Sequence, residues 1–201
     1  MSNVDATKIH QGPGKLWLNV GVPASGSRLI INSTGVPTAG SPIFAGATEG
    51  AATVLLSPKL EPVGADQVAA PIDVVMTGEA ESIEVTLKES DLAKLKNFIV
   101  HGAYTTGTDT GLPAGAQAYE EISFGGILSI PKTSVAVISP RRDATGKFVV
   151  SQLYSAYQAE AIQLPFQRGK ETTYKVKFEG LADGARAAGD QVGKLYRQTE
   201  N

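Results

Sequence analysis

The chain has 201 residues, a formal net charge of −2 and 42% hydrophobic residues. A chain of this length forms one large domain or two small ones and can bury a sizeable core. The absence of cysteine excludes disulfides, zinc–thiolate sites and iron–sulfur clusters, and the net charge lacks the basic excess of a duplex-binding domain. The 22 glycines and 11 prolines favour a mainly β fold with many turns.

Targeting segments are not predicted. No apolar run reaches the roughly 20 residues that span a bilayer. The N-terminal stretch "MSNVDATKIHQGPGK" lacks the apolar segment of a secretory signal, so we expect synthesis and assembly in a cytosol without a membrane partner.

Alternating and apolar runs predict strands along the first half of the chain. "GKLWLNV" alternates aliphatic side chains with other residues, which is typical of a half-buried strand. Apolar runs at 28–33 and 52–57 are further candidates, and the glycine- and proline-rich stretch 33–50 predicts a loop. The clearest pair is "IDVVMTGE" followed by "SIEVTLK", and the intervening "TGEAE" predicts a hairpin connection.

One helix is predicted after this pair. Ser90 is the candidate N-cap and Asp91 suits the positive helix start. An apolar stripe follows, and Gly102 is the expected stop. The stripe consists of Leu92, Leu95, Phe98 and Ile99.

The segment 103–118 has almost nothing to bury and predicts a long loop, which in a compact domain is usually functional or disordered. Strand candidates follow, and they bring the total to about eight to ten. They lie at 119–130, 133–139, 147–154, 159–166, 172–178 and 193–197. No domain linker is visible, so we predict a single domain over 1–201.

The sequence does not favour a catalytic site. "TDTGL" contains the aspartic-protease triplet, but Asp109 lacks the apolar strand flanks of that site, so a surface turn is favoured. "GPGK" is followed by a strand rather than by a helix, unlike a phosphate-binding loop. His10 and His101 have no elbow motif or carboxylate spacing beside them. We therefore predict no enzyme, no catalytic residue, no metal and no cofactor.

Two charged or glycine-rich segments suggest contacts. "SPRRDATGKF" places Arg141 and Arg142 at a predicted hairpin tip, with an intersubunit salt bridge as the alternative. In "GLADGARAAGDQVGKLYR" a helix would contain three glycines, each costing about 1 kcal/mol relative to alanine. An irregular turn leading to a terminal strand is favoured, with Asp183 and Arg186 as the pair expected to hold it, within a subunit or across to a neighbour.

The order of these segments resembles the major tail tube protein of long, flexible-tailed bacteriophages. Three stretches carry the resemblance: "GPGKLWL", "IDVVMTGEAESIEVTLKESDLAKL" and "QLPFQRGKETTYKVKFEGLADGARAAGDQ". Two departures are the Gly-, Pro- and Ala-rich segment 33–70 and the lack of an immunoglobulin-like C-terminal extension.

The resemblance implies a mainly β, sandwich- or barrel-like tail tube domain with one flanking helix and long assembly loops. Six copies would form a ring whose inner sheets join around a lumen, and rings would stack into a tube that conducts viral DNA without binding it specifically. The implied partners are further copies of the chain and the tape measure, tail tip and tail terminator proteins, all in the virion tail. Long strands without proline or edge charges would invite such pairing of sheet edges.

Two hypotheses about surfaces follow from the resemblance. The polar faces of the best strand pair would line the lumen and repel phosphates. The long loop 103–118 and the N-terminal arm 1–12 would make ring-to-ring contacts. The lumen set is Asp73, Thr77, Glu79, Ser82, Glu84 and Thr86, and the intersubunit set is Thr105, Thr106, Asp109, Leu112, Arg141, Arg142, Asp183 and Arg186.

Three alternatives remain open from the sequence. A tail terminator or a secretion tube subunit would share the fold class and the ring. A capsid-decorating or carbohydrate-binding β module would need clustered surface aromatics, whereas Trp17 stands alone. An enzyme is the third, disfavoured for the reasons above.

Overall fold

The computed structural model describes residues 12–65, 68–89, 91–99, 101–111 and 115–199. Within these ranges the chain is mainly β, as the composition predicted. The elements are β1 (Lys15–Val20), β2 (Gly40–Phe44), β3 (Thr48–Ala65), β4 (Val68–Leu87), α1 (Leu92–Leu95), β5 (Gly102–Asp109), β6 (Gln117–Phe124), β7 (Thr133–Pro140), β8 (Phe148–Gln158), β9 (Tyr174–Gly180) and β10 (Gly193–Arg197).

Eight strands form one antiparallel sheet in the order β2-β1-β7-β8-β9-β4-β3. The tenth strand pairs with the first part of β8, and β9 pairs with the last part of the same strand. Strands β5 and β6 form a separate two-stranded sheet. Among the described residues, β2, β3 and β10 each pair with a single neighbour and are therefore the edge strands of the large sheet.

The middle strands β1, β7 and β8 are buried on both sides. Leu18, Val135 and Leu153 belong to an inner core cluster, while Trp17 and Ile138 belong to a second cluster on the opposite side. Strands covered on both sides consist of nearly continuous apolar runs, which explains "TSVAVIS" and "KFVVSQLY".

The sheet curls so that its two halves share the inner core. Ile83 of β4 and Phe178 of β9, both at most 1% exposed, belong to the same cluster as Leu18 of β1. A Cβ atom added to Gly14 would lie 2.9 Å from the Cβ of Ala52, so the chain before β1 closely approaches the beginning of β3.

The helix is much shorter than predicted. It contains four residues, and its N-cap is Asp91, whose side chain accepts a hydrogen bond from the Ala93 backbone N–H. The proposed cap Ser90 lies outside the described residues. Turns replace the expected second half of the helix and place Phe98 against Tyr174 and Phe178, at ring-centroid distances of 6.0 and 6.1 Å. No helix in the described ranges is long and apolar enough to cross a membrane.

The predicted hairpin at "TGEAE" is wrong. Strand β4 runs through this stretch without turning, and its partner is β3. Gly78 lacks the positive φ that a tight turn requires. The stretch contains turn-forming residues because it lies in an exposed ribbon, where burial imposes no pattern.

The predicted loop 103–118 is also wrong for most of its length. Residues 102–109 and 117–124 pair as the β5–β6 hairpin, leaving a short connection whose residues 112–114 lie outside the described ranges. Most of its side chains are exposed on both sides of the ribbon, so the sequence shows no apolar alternation.

Smaller corrections concern irregular segments. The predicted strand at 28–33 contributes only an isolated bridge between Ile31 and Pro37. The predicted strand at 159–166 is irregular, although Leu164 still packs on the inner core. Conversely, β2 lies inside the predicted loop 33–50, because a short edge strand needs little burial.

Candidate functional site

A large exposed apolar surface lies on a two-stranded arm formed by residues 56–65 of β3 and 68–81 of β4. Strand β9 pairs with β4 only from Ser82 onward, so beyond that point the two strands have only each other. Seven large apolar side chains of the arm are between 39% and 60% exposed. They are Leu56, Leu60, Val63, Ile72, Val74, Val75 and Met76.

Apolar side chains occupy both sides of the arm. Leu60 pairs with Met76 on one side, and Glu61 pairs with Val75 on the other. A bulge at Thr77 adds one residue to β4. Lys59 and Leu60 are consecutive in β3, but their partners Gly78 and Met76 are two residues apart in β4, which leaves Thr77 unpaired. Apolar side chains are thus exposed on both sides of the arm, and the side of Val75 also carries Lys59, Glu61 and Asp73.

The structure splits the predicted lumen set between the arm and its base. Ser82, Glu84 and Thr86 lie at the base, on the side of β4 that faces away from the core. Because the bulge at Thr77 shifts the alternation of β4 by one residue, Asp73 also lies on the side that faces away from the core. Glu79 is an even number of residues from the buried Ile83, so it lies on the core side.

The base carries a mixed set of charges, here called the charged face. The Nζ of Lys175 lies 2.9 Å from a Glu84 carboxylate oxygen and 3.6 Å from Glu160. Lys177 contacts Glu160 and Glu179 at 3.4 and 3.2 Å, and the Tyr157 hydroxyl donates to Glu179 at 2.9 Å, which lowers the pKa of that carboxyl. The charged face contains Glu49, Glu84, Glu160, Glu171, Glu179, Lys88, Lys175 and Lys177.

One carboxylate at the root of the arm lies in an unfavourable position. Oε2 of Glu81 is buried and makes no hydrogen bond with any described residue. Burial, followed by repulsion from Glu79, raises its pKa.

The predicted stacking residues on the second hairpin are exposed. Thr105 and Thr106 pair with Glu121 and Glu120, and Asp109 ends β5, where its carboxylate caps the backbone N–H of Gly111 at 3.1 Å. Leu112 and the N-terminal arm up to residue 11 lie outside the described residues.

The turn between β7 and β8 is the charged hairpin tip that the sequence predicted. Arg141 forms a salt bridge with Asp143 and donates to the backbone carbonyl of Gln198, while Arg197 reaches the same carboxylate at 2.5 Å. The Arg141 hydrogen bond is the largest cause that lowers the Asp143 pKa to about 2. Arg141 therefore makes these contacts within its own subunit, and Arg142 is exposed.

The C-terminal glycine segment is an irregular turn leading into β10, as predicted, but its ion pair is different. Arg186 pairs with Asp190 at 3.2 Å rather than with the Asp183 carboxylate. Its guanidinium also donates to the Pro23 carbonyl at 2.9 Å and lies 3.8 Å from the centroid of the Tyr154 ring. Asp183 instead holds the local turn, accepting from the backbone N–H of Ala185 at 3.0 Å.

Asp190 is the centre of this C-terminal cluster. The Tyr154 hydroxyl donates to it at 2.5 Å, and the Gly26 backbone N–H and the Ser25 hydroxyl donate at 3.1 Å each. These donors, with Tyr154 first, hold the Asp190 pKa well below its usual range. Burial and the Asp190 charge raise the Tyr154 pKa to about 12.

Sequence reasoning missed Asp190, Tyr154 and the arm. Asp190 is four residues after Arg186, but i,i+4 spacing suggests a pair only in a helix, and no helix forms here. The arm gave a usable signal, because the apolar positions of residues 72–76 do not keep to a single side of a strand.

The described part of the chain contains no cluster of metal-ligating side chains. No group of three His, Asp or Glu side chains in those ranges is placed to hold a metal ion. The His101 ring lies 6.2 Å from the ring of Phe124, and His10 lies outside the described residues.

Comparisons with known proteins give no family. No protein-family model matches the chain, and no curated protein matches it in sequence.

Proposed function

We propose that the chain is a structural, non-catalytic subunit of a phage tail tube. Copies would form rings, six to a ring by the resemblance described above, and the rings would stack into a hollow tube in the virion tail. The observation that carries the proposal is the arm, whose apolar side chains are exposed on both sides of an unsupported ribbon.

The physical argument is that such an arm needs other chains. An isolated two-stranded hairpin is marginal in water, and three or more strands or a packed layer are needed for stability. Monomeric proteins rarely expose a continuous apolar surface of this kind, and those that do use it for association. Association between identical copies fits a chain that has no other identified ligand.

We also propose that the domain is sandwich- or barrel-like. A sheet that curls around one core, with β1 near the start of β3, suits a sandwich- or barrel-like domain. Joining sheets between copies requires a free edge, and the first half of β3, Thr48–Ser57, is free of proline. Its second half contains Pro58 and Pro62, which corrects the expectation of proline-free edges.

The charged face is the proposed lumen surface. Five carboxylates and three lysines make it acidic overall, so a DNA backbone would find no net positive groove. Glu84 and Thr86 face this side, Ser82 is on the same side but only 5% exposed, and Glu79 is on the other side. The proposed lumen set is therefore reduced to Glu84 and Thr86, joined by Asp73.

The decisive experiment is negative-stain electron microscopy of the purified protein. We expect hollow tubes of uniform diameter. A variant in which residues 58–79 are replaced by Asn-Gly keeps the core and should remain a folded monomer without tubes. Tubes formed equally well by that variant, or a wild-type protein that never associates, would refute the proposal.

The same preparation separates the alternatives. A tail terminator would stop at single rings, whereas a stacking subunit forms long tubes. A secretion tube subunit would also stack, so only association with phage tape measure or tail tip proteins would distinguish it. The carbohydrate-binding alternative loses its best residue, since Trp17 is 9% exposed and packs against Phe44 at a ring distance of 5.3 Å.

The lumen assignment has its own test, which is DNA retention by assembled tubes. Glu84→Lys would place a third cation beside Lys175 and Lys177 and should make tubes retain duplex DNA at low salt. Glu120→Lys, on the second hairpin, is the matched control. Equal retention by both variants would contradict the assignment.

A further inference from the structure

A shallow apolar groove of about 380 Å³ lies beside the root of the arm. Its floor is formed mainly by glycine, alanine and valine. Six of its lining residues are Gly14, Ala51, Val54, Val137, Val149 and Leu195.

The groove is an uncovered continuation of the inner core. Val137 and Val149 project from the same side of the sheet as Val135 and Leu153, which are buried in that core. Leu195 of β10 pairs with Ser151 on this side, yet it is 56% exposed. Elsewhere this side of the sheet is covered by β4 and β9, whereas no described residue covers the groove.

The arm cannot fill the groove of its own molecule. Val54 lines the groove, and Leu60 lies about 20 Å further along the same strand at about 3.3 Å per residue. Most of the ladder between Val54 and Val63 is hydrogen-bonded to β4, so the arm cannot fold back. Contact between the arm and such a groove must therefore join two molecules.

The arm and the sheet end beside the groove carry opposite net charges. In its described residues the arm carries Glu61, Asp73, Glu79 and Glu81 against Lys59. The sheet end beside the groove, where β1 and β8 begin and β7 and β10 end, is basic. In the described part of the chain five basic side chains there accompany Asp143, and they surround the groove without lining it. They are Lys15, Arg141, Arg142, Lys147 and Arg197.

We propose that the groove binds the arm of a second copy of this chain, through Leu60, Val74 and Met76. The inference deepens the proposed function and rests on it. Because arm and groove are different surfaces, the contact is head-to-tail, and repetition gives a closed ring or an open filament. In this contact the apolar side chains of the arm pack on the groove, and both surfaces become buried.

The test is disulfide trapping, which is clean because the chain has no cysteine. Copies with Met76→Cys or Val74→Cys are mixed with differently tagged copies carrying Ala51→Cys or Leu195→Cys, and then mildly oxidised. We expect mixed disulfide dimers for at least one combination, since the Cα atoms must approach within about 7 Å. Thr106→Cys, which is exposed on the second hairpin, is the control and should give none.

Three other outcomes would overturn the inference. Efficient dimers of Met76→Cys alone would mean that arms pair with arms. Mixed dimers that form only after removal of residues 1–11 would mean that this segment occupies the groove. Tubes in the microscope without any mixed dimer would refute the groove while leaving the proposed function standing, whereas absence of any association would refute both.

Discussion

The hydroxyl of Tyr154 donates a hydrogen bond of 2.5 Å to the carboxylate of Asp190 and thereby ties the C-terminal turn to β8. Arg186 adds a salt bridge to the same carboxylate and covers the Tyr154 ring. The loop before Leu29 joins through Ser25 and Gly26. Three separate parts of the chain thus converge on one charge.

Replacing Asp190 should therefore destabilise the subunit. Asp190→Asn removes the charge that Arg186 and Lys194 face, at 3.2 and 3.4 Å, and we expect the melting temperature to fall by several degrees. Asp183→Asn, which keeps the carbonyl oxygen that Ala185 needs, is the control and should change little. Equal melting temperatures for both variants, measured by circular dichroism, would contradict this role.

The same carboxylate predicts a pH dependence. Its pKa is lower in the folded protein, so its contribution is full above the unfolded pKa of about 3.9 and is lost as pH falls through the folded value. The difference in melting temperature between wild type and Asp190→Asn should hold from pH 7 to about pH 5 and shrink below about pH 4. A difference that stays constant down to the most acidic pH measured would contradict the assignment.

Two glycines of the terminal segment should differ in their tolerance of alanine. A Cβ on Gly193 would collide with the backbone oxygen of Gln152 and would lie 3.1 Å from Leu153, whereas one on Gly184 meets nothing within 4 Å. We expect Gly193→Ala to cost about 1–3 kcal/mol of unfolding free energy, because overpacking forces backbone shifts. Gly184→Ala should be nearly neutral, and urea unfolding of the pair checks the contrast.

The prolines of the edge strand should limit uncontrolled pairing. Pro58 and Pro62 lack the backbone N–H that another strand would need. The double variant Pro58→Thr and Pro62→Thr should aggregate faster and bind amyloid dyes, as measured by light scattering and fluorescence. Thr53→Val, which also raises β propensity in β3 but leaves both prolines, is the control, and equal aggregation would contradict the idea.

The sequence predicted those elements that are buried. "TSVAVIS" and "KFVVSQLY" became β7 and β8 because strands covered on both sides must be apolar throughout. The terminal strand "GKLYR" and the charged tip at Arg141 were also predicted correctly.

Elements without burial escaped prediction. The β5–β6 hairpin and the arm are two-stranded ribbons exposed on both sides, so no alternation marks them. The Arg186–Asp190 pair depends on a turn whose course the sequence does not reveal. Groove residues such as Ala51 and Leu195 come together only through the curl of the sheet.

The groove and the arm share strand β3, since Gly50–Ala52 and Val54 line the groove and residues 56–65 continue the same strand into the arm. A docked arm therefore contacts the strand from which the acceptor's own arm projects. Under the proposed contact, an open chain of copies would have a polarity, because one end would present a free arm and the other a free groove.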